Sequence, residues 1–304
     1  MKYKQIVSDS WQIIKSDKAD LFVFGFIPSL FGTIVGVFYV SYQIMAFRHS
    51  SLFSSDQGIN YLSLLSPIWD FMKVHPSVTV SIVLLVFFIL LMYVFSPILC
   101  GGALIDLVTK RVRGKRLQGG FSKGLQSFFP LFEFAAMTSV FSVTGYFTEL
   151  SVVLRNFGAG TWVFLIPLLT TILVIGIFLS LLFIFVPQFI VLENMNVIQA
   201  MKKSAVLVLG NVKNTFFLGI TLALIALRIV FNMLLILLIP LFFMTIVALT
   251  ATLALQWLGI IIGTVVGLGL LIVGAYLLAG FFLFTHAVWT LSFIRFRKEE
   301  LENQ

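Results

Sequence analysis

From Phe216 to Phe293 the chain runs 78 residues with a single charged side chain, Arg228. About 20 consecutive apolar residues already cross the ~30 Å hydrocarbon core of a bilayer, so this block alone demands lipid as its solvent. Four further runs of spanning length lie at 21–47, 78–107, 128–150 and 162–192. A chain that is 60% apolar and 11% charged, with 34 phenylalanines in 304 residues, carries more apolar surface than one water-soluble core could hide. The expected fold is therefore all-α and polytopic, a single integral membrane domain over 1–304.

The long block holds enough residues for two long helices or three short ones, and Pro240 with Gln256-Trp257 is its only punctuation. Charge decides between them. With six spans, the last two at 216–248 and 257–293, sixteen Lys and Arg fall on one side and only Arg48, Lys73 and Arg155 on the other. The positive-inside rule then makes both termini and the second and fourth loops cytoplasmic, in a cell (inner) membrane of bacterial type. A seventh span would move Arg295, Arg297 and Lys298 outside. Six is therefore expected, with the last two helices long, tilted or kinked near Pro240. The run 21–47 is too long for a signal-peptide core and reads as a retained first span.

Net charge +8 does not point to nucleic acid, because the cations sit in short clusters between spans and build no basic face on a folded domain. Cys100 is the only cysteine, so no disulfide within the chain is possible.

Short cytoplasmic segments repeat one plan. In segment 1–18, Tyr3, Val7, Trp11 and Ile14 form an apolar helical stripe beside Lys4, Lys15 and Lys18. In 196–209, Val197, Met201, Ala205 and Val208 share a face beside Lys202 and Lys203. Gln5 to Gly25 aligns without a gap on Gln199 to Gly219, matching Gln5 with Gln199, Ser10 with Ser204, Phe22 with Phe216 and Gly25 with Gly219. A third, shorter copy is read at 121–132, where Phe121, Leu125 and Phe128 share a face. The second and fourth spans both carry a proline near their cytoplasmic ends, Pro97 and Pro187. The implied unit is an interfacial helix followed by a transmembrane hairpin, used three times as pseudo-repeats.

The stretch from Val191 to Asn211, with Glu193, Gln199, Ala200, Ser204, Leu207 and Gly210, is entered from a span bearing Pro187. It resembles a signature of the YciC-like bacterial membrane proteins and of the membrane domain fused to some glycerophosphodiester phosphodiesterases. The run Gly101-Gly102-Ala-Leu-Ile-Asp106, with Gly114-Lys115 and the Phe-rich segment after it, is similar to an earlier loop of the same group. The resemblance covers roughly 97–219 and implies a six-helix membrane domain whose own activity is unassigned. Both ends here are short, so no soluble phosphodiesterase domain is expected and that activity does not carry over.

Arg228 is the first candidate site residue, because a guanidinium about fourteen residues into a span needs a partner or water. Glu149 near the outer end of the third span and Asn232 one turn on are its candidate partners, and Glu133 lies a little inside the third span. Such a set reads either as an anion or headgroup site or as a structural ion pair with a snorkelling arginine, the latter being the more economical. Asp106 with Lys110 at i+4 reads as an interface salt bridge, and His286 as a packing histidine. His49 and His75 are too few for a metal centre. Gly259, Gly263 and Gly267 follow at four-residue spacing, and Gly32 with Gly36 gives the first span a small face, both suiting helix packing or dimerisation.

No zinc helix, nucleophile elbow or phosphate loop is present in the sequence, and no cofactor or metal is expected. The expected function is that of a non-enzymatic membrane protein binding membrane lipids or a partner membrane protein, the partner being another protein or a second copy. A small-solute or lipid transporter or channel comes second, and an intramembrane lipid-processing enzyme third.

Overall fold

A computed structural model describes residues 3–48, 70, 72–157, 159–251 and 256–302, and every regular element among them is a helix. In chain order these are α1 (Tyr3–Ser16), α2 (Lys18–Arg48), α3 (Pro76–Val112), α4 (Gly120–Gln126), α5 (Phe128–Ser139), α6 (Val143–Asn156), α7 (Ala159–Leu182), α8 (Val186–Glu193), α9 (Val197–Gly210), α10 (Val212–Ala251) and α11 (Gln256–Glu302). Among the described residues, five stretches are long and apolar enough to cross a membrane: in α2, in α3, across α7 and α8, at the start of α10 and in α11. The fold is that of an all-α, multi-pass membrane protein.

The third expected span, 128–150, is two helices. Thr138 and Ser139 turn their hydroxyls back onto the carbonyls of Phe134 and Ala136, at 2.9 and 2.8 Å. Ser142 then starts α6 by accepting from the amide of Gly145 at 3.0 Å. Ser and Thr hydroxyls compete with the helix ladder for backbone groups, which hydropathy averaged over the run does not register. Alone, α5 has 12 residues, about 18 Å at ~1.5 Å per residue, and so falls short of the bilayer core.

Contacts divide the chain into two compact units. Unit 1 comprises Met1–Ile34, Ser96–Leu131 and Leu181–Gln304, and unit 2 comprises Val35–Phe95 and Phe132–Ser180. Charge divides with them. Unit 1 carries 17 of the 20 Lys and Arg and eight of the 12 Asp and Glu, a net +9, which leaves unit 2 at −1.

Within unit 2, a polar chain ties α2 to α6. Gln43 donates to the Tyr39 hydroxyl at 2.8 Å and accepts from Ser151 at 2.6 Å, and Tyr39 shares a 2.8 Å hydrogen bond with Thr148. Arg155, expected in a loop, belongs to the last turn of α6, where it is buried, lies over the Tyr42 ring and donates to the Ser151 carbonyl.

Unit 1 has its core in three helix ends: α3 from Cys100 to Thr109, α8 from Val186 to Val191, and α11 from Leu283 to Phe296. Phe185 fills the centre, its ring edge-on to Trp289 and Phe296 and tilted against Phe293, all within 6.1 Å. Each short helix lies on one of these ends. The first, α4, presses Gly120 against Leu107 and Gly124 against the Leu99 carbonyl and Ala103, an approach only glycine permits. On α8, the hydroxyl of Ser204 in α9 donates to Leu182 O at 2.8 Å and accepts from Phe185 N at 3.2 Å. Those backbone groups are free because Pro187 interrupts the helix between α7 and α8. Finally, α1 lies on α11 through the Asp9–Arg295 ion pair and the edge-on contact of Trp11 with Phe284.

The repeated plan is visible at residue level. Each short helix joins the next helix through one residue, Asp17, Ser127 or Asn211, whose carbonyl accepts from the amide four residues on, at 3.1, 3.1 and 3.0 Å. Counted from that junction, equivalent positions are buried in all three copies: Ser10, Gly120 and Ser204; Ile14, Gly124 and Val208; Leu21, Leu131 and Thr215. Gly25 and Gly219, aligned in the sequence, do one job. A Cβ on Gly25 would meet Leu283 of α11 at 2.6 Å, and one on Gly219 would meet Leu181 of α7 at 3.3 Å.

The buried faces differ from the apolar stripes read from sequence. Ile6, Ser10 and Ile14 are buried in α1 while Trp11 is exposed, and Val197, Ala200, Ser204, Leu207 and Val208 are buried in α9. In α4 the glycine face is buried, and Phe121 and Leu125 point outward. Small residues permit close helix approach, so in a membrane protein the bulkiest stripe need not be the packed one.

Candidate functional site

The polar residues of unit 1 gather where α3, α8 and α11 end and the short helices begin. The turn between α8 and α9 is set by two asparagines. Asn194 closes α8 at φ 53°, a conformation Asn tolerates better than most residues, and Asn196 caps α9 by accepting from Gln199 N at 2.9 Å. Lys123 donates to Asn194 Oδ1 at 2.7 Å, tying α4 to this turn.

Glu193, the last residue of α8, holds two cations: Arg297 Nε at 3.1 Å and Lys203 Nζ at 3.8 Å. Arg297 also donates from Nη1 to Glu300 Oε2 at 2.6 Å, and its guanidinium lies over the Phe189 ring, 5.9 Å from the centroid. Three contacts fix the guanidinium plane and leave Nη2 without a partner among the described residues. Beside it opens a groove of about 380 Å³ lined by Phe189, Lys202, Lys203, Val206, Arg297, Glu300 and Leu301. Its three cations are met by two carboxylates, Glu300 in the lining and Glu193 behind Arg297 and Lys203, and Lys202 has no acidic partner among the described residues.

A second, wider groove of about 530 Å³ lies over the turn after α3, lined by Arg111, Lys115 and Arg116 but also by Asp17 and Asp20. Arg111 is taken by Asp17 at 2.7 Å, and Lys110 by Asp106 and the Gln118 carbonyl. Its lining likewise carries three cations against two carboxylates, but its only large apolar side chain is Leu117.

The residues singled out from sequence lie elsewhere. Arg228 belongs to unit 1, is exposed on α10 and lines neither groove. Glu133 and Glu149 belong to unit 2 and are exposed on α5 and α6. None of the three forms an ion pair among the described residues. The side chains of Asn232, Gly259 and Gly263 lie outside the described residues, as does all of His49. A Cβ on Gly32, Gly36 or Gly267 would meet nothing within 4 Å, so the close approaches are made instead at Gly25, Gly120, Gly124 and Gly176. Spacing identifies small faces but not which of them is covered. Asp106 and Lys110 pair as their i+4 spacing suggests, and Gly101 packs on the His286 ring. Among the described residues no three His, Cys, Asp or Glu could together hold a metal.

Comparison of the chain with family models, curated proteins and solved structures returns no match.

The groove beside α9 went unrecognised in the sequence because Glu193, Lys202 and Arg297 are separated along the chain. The available signal was the adjacent Lys202-Lys203 pair on an amphipathic helix. Chemically the arrangement offers fixed and mobile cations beside apolar walls, which suits an anion carrying an apolar tail.

Proposed function

We propose that this is a non-enzymatic, multi-pass protein of the cell (inner) membrane, with both termini cytoplasmic, whose basic end binds anionic membrane lipid. The observation that carries this reading is the outer surface of the short helices. Trp11 on α1, Phe121 and Leu125 on α4, and Ile198, Val206 and Leu209 on α9 are exposed, with Lys15, Lys202 and Lys203 exposed on the same helices. Large apolar side chains interleaved with lysine are stable at a lipid–water interface, where the rings and aliphatic tips enter the acyl region and the ammonium groups meet phosphates. The net +9 of unit 1 favours a cytoplasmic face and anionic headgroups. The six-span count and the kinship with YciC-like membrane domains belong to the same proposal.

The test is retention of lipid by the purified protein offered phosphatidylglycerol or phosphatidylcholine in equal amounts. Preferential retention of phosphatidylglycerol supports the reading, and indifference contradicts it. The exposed Arg228, the one charged residue in the apolar run that follows Lys213 in α10, favours a second reading as a transporter or channel. Solute flux into sealed vesicles above the protein-free rate would put that reading first.

A further inference from the structure

We infer that the groove between α9 and the end of α11 is a specific site for the headgroup phosphate of an anionic phospholipid, held by Lys202, Lys203 and Arg297. The inference rests on the lipid-binding reading and names where that binding is concentrated. Three observations carry it.

First, the site is singular within the repeats. Lys202 and Lys203 occupy positions held by Ser8 and Asp9 in α1 and by Gln118 and Gly119 ahead of α4, counted from the junctions at Asn211, Asp17 and Ser127. The scaffold recurs three times and the double lysine once. In α1 the equivalent charge is even inverted, since Asp9 pairs with Arg295 whereas Lys203 pairs with Glu193.

Second, three cations stand against two carboxylates, which leaves donors over for an oxyanion. Glu193 and Glu300 orient Arg297 through Nε and Nη1, and Phe189 supports its face, so Nη2 is presented with little left to immobilise. Lys202 has no acidic partner among the described residues, and Lys203 is held only loosely at 3.8 Å, so both ammonium groups can turn to a phosphate. A guanidinium fixed in plane with two mobile ammonium groups beside it is a common way to bind a phosphate.

Third, the walls are apolar and exposed. Val206 of α9 and Leu301 of α11 line the groove at 63% and 60% exposure, and Ile198, on the same stripe of α9 as Lys202 and Val206 but outside the lining, continues the apolar face at 62%. Free phosphate has no use for such walls, whereas the glycerol and first methylenes of a phospholipid do.

The experiment compares wild type with Lys202→Gln/Lys203→Gln and, as a control, Lys115→Gln/Arg116→Gln on the second groove. Each is titrated in detergent with short-chain phosphatidylglycerol, and bound lipid is counted by native mass spectrometry. The groove variant is expected to bind about 25-fold more weakly, fivefold for each lysine, as ~1 kcal/mol per basic residue near an anionic surface converts. The control pair is expected to change little, and Val206→Asn is expected to weaken lipid binding while leaving the melting temperature unchanged. If only the control pair weakens binding, or both pairs weaken it equally, the site is wrong although lipid binding stands. Should wild type fail to prefer phosphatidylglycerol over phosphatidylcholine, the parent reading falls with it. Competition by inorganic phosphate at the affinity of the lipid would overturn the assignment to a headgroup.

Discussion

Ser10 and Ser204 occupy equivalent, fully buried positions in α1 and α9, yet replacing each by alanine should have opposite effects. Ser204 satisfies two backbone groups exposed by the helix break before Pro187, the Leu182 carbonyl and the Phe185 amide. Removing its hydroxyl deletes two hydrogen bonds worth ~0.5–1.5 kcal/mol each and strands two buried groups at ~1–3 kcal/mol each. Hydrogen bonds within membrane proteins average nearer ~0.6 kcal/mol because alternative partners are found, so a net loss of about 2 kcal/mol is expected. The helix on which α1 packs, α11, contains no proline, and the buried Ser10 Oγ has no partner among the described residues. Ser10→Ala therefore removes a desolvated hydroxyl and loses nothing, for an effect between zero and about 1 kcal/mol of stabilisation. The two unfolding constants should differ by about thirtyfold or more, at ~1.4 kcal/mol per tenfold. Reversible unfolding in mixed micelles, followed by circular dichroism, measures both. Equal losses, within ~0.5 kcal/mol, would refute the assignment of Ser204 to the helix break.

Gly124→Ala should destabilise by about 1–3 kcal/mol, because the new methyl meets the Leu99 carbonyl, a backbone atom that cannot turn aside, whereas Gly32→Ala should be neutral. Thermal unfolding in detergent ranks the two. Asp9→Lys should cost about 1–3 kcal/mol by leaving Arg295 beside a like charge, and adding Arg295→Glu should recover most of it, since Lys203 and Glu193 already form the inverted pair in the equivalent place. A double-mutant cycle on stability gives the coupling. Ser142→Ala removes the cap of α6 and should lower stability by about 0.5–2 kcal/mol, with the loss read as faster amide exchange between Val143 and Tyr146.

The sequence was most legible where one physical term dominated. Unbroken apolar runs marked the stretches in α2, α3, α7, α10 and α11, and the alignment of Ser10 with Ser204 and Gly25 with Gly219 anticipated positions with equivalent roles in unit 1. It was least legible where small polar residues set the outcome. Thr138, Ser139 and Ser142 break the third expected span within an apolar context. Ser10, Gly120 and Ser204 centre the buried faces that bulk alone assigns to Trp11 and Phe121. The cation groove was hidden by distance along the chain, since the residues that fix Arg297 come from α8 and from its own helix. Arg228 drew notice as a lone charge, but solitude in the sequence carries no information about what stands beside it in space.

The claim that the short helices lie in the lipid–water interface is tested most directly by measuring their depth. A fluorophore is attached at single cysteines introduced as Trp11→Cys, Phe121→Cys and Val206→Cys, in protein reconstituted with phospholipids brominated at different acyl depths; Cys100 is buried and stays unlabelled. All three sites should be quenched, most strongly by bromine nearest the headgroup. Fluorescence indifferent to brominated lipid and fully open to an aqueous quencher would contradict the interfacial placement, and with it the lipid-binding function proposed for this end of the protein.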